Sequence, residues 1–126
     1  MYAAQVQNAH SVKNLTALCL ISAVQVMQLV QAREQPQGLA IQDGFDEVDV
    51  SIIQGLNQKL EGNTDKLKNP HPPQSMAFAS WVVARLGGWS GYASQRPPGP
   101  KTMWDGLQRL KIIAEGVQML ELIKLE

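Results

Sequence analysis

The sequence predicts an all-α fold, a small bundle of about four helices with proline-rich connecting loops. Three observations carry this expectation. Apolar residues recur at the helical period, at Ile52, Ile53, Leu56 and Leu60 and again from Met103 to Leu120. Residues suited to helix starts precede three of the runs, at Asn14, Ser75 and Thr102. All seven prolines fall between the runs, where they interrupt no helix.

At 126 residues and 44% apolar, the chain suits one domain with a modest core. The folded part is expected over 9–124, with 1–8 and 125–126 as flexible ends or remnants of cloning. Eleven basic residues balance eleven acidic ones, so no overall field draws the chain onto nucleic acid or an anionic membrane. A lone cysteine, Cys19, rules out an internal disulfide framework and fits a reducing cytoplasm.

The first helix is expected from Asn14, as cap, to about Arg33. Leu15, Cys19, Val26 and Val30 lie on one side of it, and Ala17, Leu20, Ile21 and Val24 on the other. A helix apolar nearly all round belongs inside something: either the rest of this chain, or a partner that this chain lacks. Polar interruptions at Thr16, Ser22, Gln25 and Gln28 argue for a buried helix and against a membrane span.

A short connector, Leu39 to Gly44, leads to a second helix over Asp46–Leu60. Its acidic first turn (Asp46, Glu47, Asp49) and its late Lys59 both suit the helix dipole. Its single apolar stripe makes it half exposed, and Gly62-Asn63 supplies a stop. Asn69-Pro-His-Pro-Pro73 then reads as a rigid connector.

Ser75 caps a third helix ending at Gly87-Gly88. Large residues (Met76, Phe78, Trp81, Val82, Val83, Leu86) alternate there with small ones that admit close neighbours. Arg85 reads as a chain end reaching solvent or helix-terminal carbonyls, or else as half of an ion pair. The last helix is expected from Lys101–Thr102 to about Lys124, with Thr102 and Asp105 forming a capping box. It carries a wide stripe (Met103, Leu107, Leu110, Ile113, Ala114, Val117, Leu120) and an opposite one (Trp104, Ile112, Met119, Leu122). Two apolar faces need two things to pack against, and a second copy of the chain suits one of them. Gly106 and Gly116 each cost about 1 kcal/mol in a helix interior, which suggests close approach of another backbone.

Residues fit for catalysis or metal binding are sparse. His10 and His71 stand apart in polar segments, and Cys19 lies in the most apolar helix with no base beside it, which suggests packing. No phosphate loop or nucleophile elbow is present. Lys59, Lys66 and Lys68 form a loose basic group able to touch phosphates weakly, with Arg96 and Lys101 as outlying cations.

Two segments stand out: Ala84-Arg-Leu-Gly-Gly-Trp89 after a small-and-aromatic helix, and Met103-Trp-Asp-Gly-x-x-x-Leu110 with Gly116 beyond it. Together with the Asn14–Leu29 run ending in Gln31-Ala-Arg-Glu34, they resemble the C-terminal domain of bacterial cut-and-paste transposases of the IS-four type, Tn-five-like branch. The resemblance covers about His10 to Leu120. It implies an all-helical dimerisation domain that pairs two subunits across bound transposon ends. The DNA-binding domain and the Asp-Asp-Glu core, with its Mg or Mn, would lie elsewhere in the parent protein. The family's Tyr-x-x-Arg-x-x-x-Glu-x-x-x-x-x-x-Lys signature has no match in Met1–His10, so the resemblance implies no catalytic residue, metal ligand or cofactor here.

The partners so implied are a second copy, the parent's catalytic core and, through the parent, transposon-end DNA, in a bacterial cytoplasm without membrane attachment. Candidate dimer contacts are Trp104, Leu107, Leu110, Ile113, Ala114, Val117 and Leu120, with Arg85, Leu86, Gly87, Gly88 and Trp89 as a structural motif. The family can carry a strongly basic loop before the third helix; here Asp65–Gln74 holds only two lysines and three prolines. A stand-alone helical interaction or regulatory protein is the alternative reading.

Overall fold

The computed structural model describes residues 2–33, 35, 38–62, 67–92 and 96–125, with side chains described over these from Lys13 to Lys124. Four helices follow in order: α1 (Tyr2–Ala32), α2 (Glu47–Glu61), α3 (Met76–Leu86) and α4 (Pro100–Leu125), with a 3-10 turn at Ile41–Asp43. Among the described residues there is no strand, so the fold is the expected all-α bundle.

Helix α3 is the centre. Met76 to Ala84 are all buried, and small side chains, with Ala77, Ser80 and Ala84 on one face, let neighbouring helices close in. Ser80 is one such point, its hydroxyl donating to the Leu29 carbonyl at 2.7 Å and so satisfying a group near the end of α1. The tightest approach is to α4. A Cβ on Gly106 would overlap the Val83 carbonyl oxygen, and one on Gly87 would overlap the Thr102 carbonyl oxygen. The two backbones therefore touch at a reciprocal pair of glycines. Around this contact Leu29, Ile41, Ile53, Val82, Val83, Met103, Leu107 and Leu110 form the core.

Local chemistry sets most helix ends. Asp46 accepts from the Asp49 amide at 2.9 Å, and the Ser75 hydroxyl accepts from the Phe78 amide at 3.2 Å. Gly62, at φ 65°, turns the chain out of α2. The start of α4 departs from expectation. The Met103 amide donates to the Gly99 carbonyl at 3.1 Å, so Pro100 opens the helix and Thr102 lies inside its first turn. Proline favours that position because the first helical N–H has no partner to lose.

The connectors brace one another. Ile41 N donates to the Gln74 carbonyl and Met76 N to the Leu39 carbonyl, each at 2.8 Å, around an antiparallel bridge between Ala40 and Ser75. Asn69 holds the proline-rich loop by donating to Asn57 Oδ1 at 2.9 Å and to the Phe78 carbonyl at 3.2 Å. Glu61 accepts both the Asn69 amide and Asn57 Nδ2.

Helix α1 corrects three expectations. It begins at Tyr2, and Asn14 is interior, because the Tyr-Ala-Ala-Gln-Val-Gln segment contains nothing to stop a helix. It is also only partly covered. Ser22, Val26, Leu29 and Ala32 are buried, whereas Leu15, Leu18, Leu20, Ile21, Val24 and Met27 are 55–62% exposed. Cys19 is exposed too, so it is not a packing residue within this chain. The reason is length: a 31-residue helix runs about 46 Å, and the 11-residue α3 only about 16 Å. The third correction concerns composition. Lys13–Ala32, with mean hydropathy 1.7, is long and apolar enough to cross a membrane, although its last turns are core here.

Two predictions follow from this packing. Gly106→Ala is expected to cost about 3 kcal/mol or more in urea unfolding, since backbone, not a movable side chain, blocks the new methyl. His71, half-buried, has its pKa lowered by desolvation, so the unfolded chain takes up the proton first. Stability should therefore fall as pH drops below 6.5, and His71→Gln should flatten that fall in urea titrations on either side of this pH.

Candidate association surface

Helix α4 runs antiparallel to α1, with Pro100 beside Val26 and Val30, and Lys111 donating to the Ser22 hydroxyl. Its inner face is consumed by the chain's own core. Met103, Leu107, Leu110 and Ala114 are buried, so Leu107, Leu110 and Ala114 are not available as dimer contacts. This corrects the wide-stripe expectation: α3 and α1 together reach that face and fill it. Ile113 and Val117 sit half-buried at its margins, while Trp104 (37%) and Leu120 (57%) are exposed.

The opposite face is free. Ile112, Met119, Leu122 and Ile123 are 61–67% exposed. Ile112, Gly116, Met119 and Ile123 follow the helical spacing i, i+4, i+7, i+11 and fall within about 60° of one another around the helix. At the centre of that strip a Cβ on Gly116 would meet nothing within 4 Å. The two interior glycines of α4 thus differ. Gly106 is explained by α3 pressing on it, whereas among the described residues nothing comes within 4 Å of a Cβ on Gly116.

Where the inner and outer halves of α4 meet, a cleft of about 200 Å³ opens between α1, α2 and α4, lined by Gln25, Phe45, Asp49, Lys111 and Glu115 among others. Burial and the neighbouring Asp46 raise the Asp49 pKa, and Lys111 partly offsets this. The Arg109 guanidinium donates to the Leu86 carbonyl and, with Lys111, pins the inner half of α4 to the body.

The Arg85–Trp89 motif is a brace. Arg85 donates to the Ser90 carbonyl at 2.6 Å and to the Leu60 carbonyl at 2.8 Å, tying the end of α2 to the turn after α3. Its guanidinium also lies 5.5 Å from the Trp81 ring centroid, in cation–π range. These bonds support the carbonyl reading of Arg85. Leu86 supplies the carbonyl for Arg109, Gly87 the close approach, and Gly88 a φ of 101° that glycine adopts without strain. Trp89 Nε1 donates to the Arg96 carbonyl at 3.2 Å.

Of the basic group, Lys59 and Lys68 are exposed and Lys66 lies outside the described residues. Among the described residues no three His, Cys, Asp or Glu side chains come together as a metal site. Sequence reasoning missed the Asn57–Glu61–Asn69 network, since neither spacing nor residue type marks such long-range polar contacts. The double stripe on α4 was legible, but not which half of it is core.

No family model, curated protein or solved structure matches this chain.

The division of α4 into inner and outer faces predicts opposite stability effects. Leu110→Ala should cost about 2–5 kcal/mol in dilute-solution urea unfolding, as for other buried leucines. Ile112→Ala, two residues on, should stay within about 0.5 kcal/mol of the parent chain.

Proposed function

We propose that this chain is a non-catalytic association module whose α4 pairs with the α4 of a second copy through the outer strip centred on Gly116. The observation that carries this is a costly interior glycine amid exposed Ile112, Met119 and Ile123, with open space where its Cβ would stand. Trp104, Leu120 and Leu122 flank the strip, and Ile113 lies at its margin. Of the original contact candidates, Trp104, Ile113 and Leu120 remain beside the strip, and half-buried Val117 lies on the inner side.

The resemblance of Arg85–Trp89 and Met103–Leu110 to the Tn-five-like transposases supplies the biological setting. There the module would hold two subunits together on two transposon ends in a bacterial cytoplasm. Cutting and joining would belong to the parent's carboxylate site with its Mg or Mn, and DNA contact chiefly to other parts of the parent. One helix face offers less than the about 800 Å² per partner of a standard interface. Pairing of the isolated chain is therefore weak, and the bound DNA ends would raise the effective concentration of the two copies.

Sedimentation across a concentration series tests the pairing. Ile112→Asp and Met119→Asp are expected to remain helical by circular dichroism and to be monomeric at concentrations where the parent chain dimerises. Persistence of the dimer in both variants would remove the outer strip from the interface. The transposase setting is tested separately, by looking for the Tyr/Arg/Glu/Lys signature immediately upstream in the encoding gene.

A further inference from the structure

We infer that the outer half of α4, from Glu115 to Leu125, becomes a stable helix only when the second copy covers it, so that pairing and ordering are one event. The inference rests on the pairing just proposed and adds how it is controlled. Ala114 is the last buried residue of α4; beyond it Val117 is half-buried and Glu115, Gly116 and Gln118 to Lys124 are exposed. That stretch is about three turns; the packed inner half nucleates it, but each added residue is then held only by its own weak helix propensity. Helix stability in proteins comes mainly from a packed face, and here the packed face has ended.

Two features sharpen the boundary. Arg109 and Lys111 tie α4 to Leu86 and Ser22 just before it. Gly116, the poorest helix former after proline, stands just past it. The antiparallel α1 offers little cover, because Lys13 to Ile21 are exposed in their turn. Gly116 therefore does two jobs: it leaves space for a second backbone, and it weakens the helix until that backbone arrives. Ordering on contact reduces the apparent affinity and makes it sensitive to anything that brings two copies close.

Amide hydrogen exchange on the full chain, below and above the dimerisation midpoint found by sedimentation, tests this. Below the midpoint, amides over 118–125 are expected to exchange near the unstructured rate while those over 107–113 stay protected. Above it, the outer amides should gain roughly tenfold protection or more. In the Ile112→Asp monomer they should stay fast at every concentration, and Gly116→Ala should slow them in the monomer. A dimer whose outer amides gain nothing, or a monomer already as protected over 118–125 as over 107–113, overturns the inference and leaves the pairing intact. A chain monomeric at every concentration overturns both.

Discussion

The contact between the α3 and α4 backbones at Gly87 and Gly106 is the constraint on which the rest of the structure depends. With no side chain between them, the helices approach until a carbonyl of each fills the space where the other's Cβ would stand. That places Met103, Leu107 and Leu110 deep against α3 and leaves room for the C-terminal turns of α1 beside both. It also fixes the rotation of α4 about its own axis. With Gly106 against α3, the strip of Ile112, Gly116, Met119 and Ile123 lies about 80–140° round the helix from it.

The connectors reinforce this arrangement rather than create it. Arg85 reaches two carbonyls from different segments, and Asn69 joins the proline-rich loop to both α2 and α3. Each bond adds little net stability, since water would serve the same groups in the unfolded chain. Their role is geometric, for they hold short loops in the one path that brings α2 onto the core. The half-buried His71, just past Asn69, makes this loop sensitive to mild acid.

Beyond the glycine contact the body runs out before the helices do. Both α1 and α4 extend past it with apolar side chains on show. For α4 the exposed strip and the uncrowded Gly116 together favour another helix as occupant. For α1 the outward row Leu20, Ile21, Val24 and Met27 is as apolar, and nothing in the fold says what covers it. In the transposase setting we propose, surplus apolar faces are what one piece of a larger assembly would carry.

The sequence by itself determined the helical class, the capping of α3 by Ser75, and the glycine stops. These depend on residues within a turn or two of each other, where side-chain chemistry acts directly on the backbone. It also showed that α4 has two apolar faces and that its glycines needed explaining. Only the tertiary structure decided which face is core, how much of α1 is covered and what holds Asn69, because those answers depend on distances between segments far apart in the chain. The same limit explains the displaced helix starts. Asn14 is an able cap that goes unused because nothing before it ends the helix, and Thr102 yields to Pro100 because the turn from Gly99 already supplies the first carbonyl.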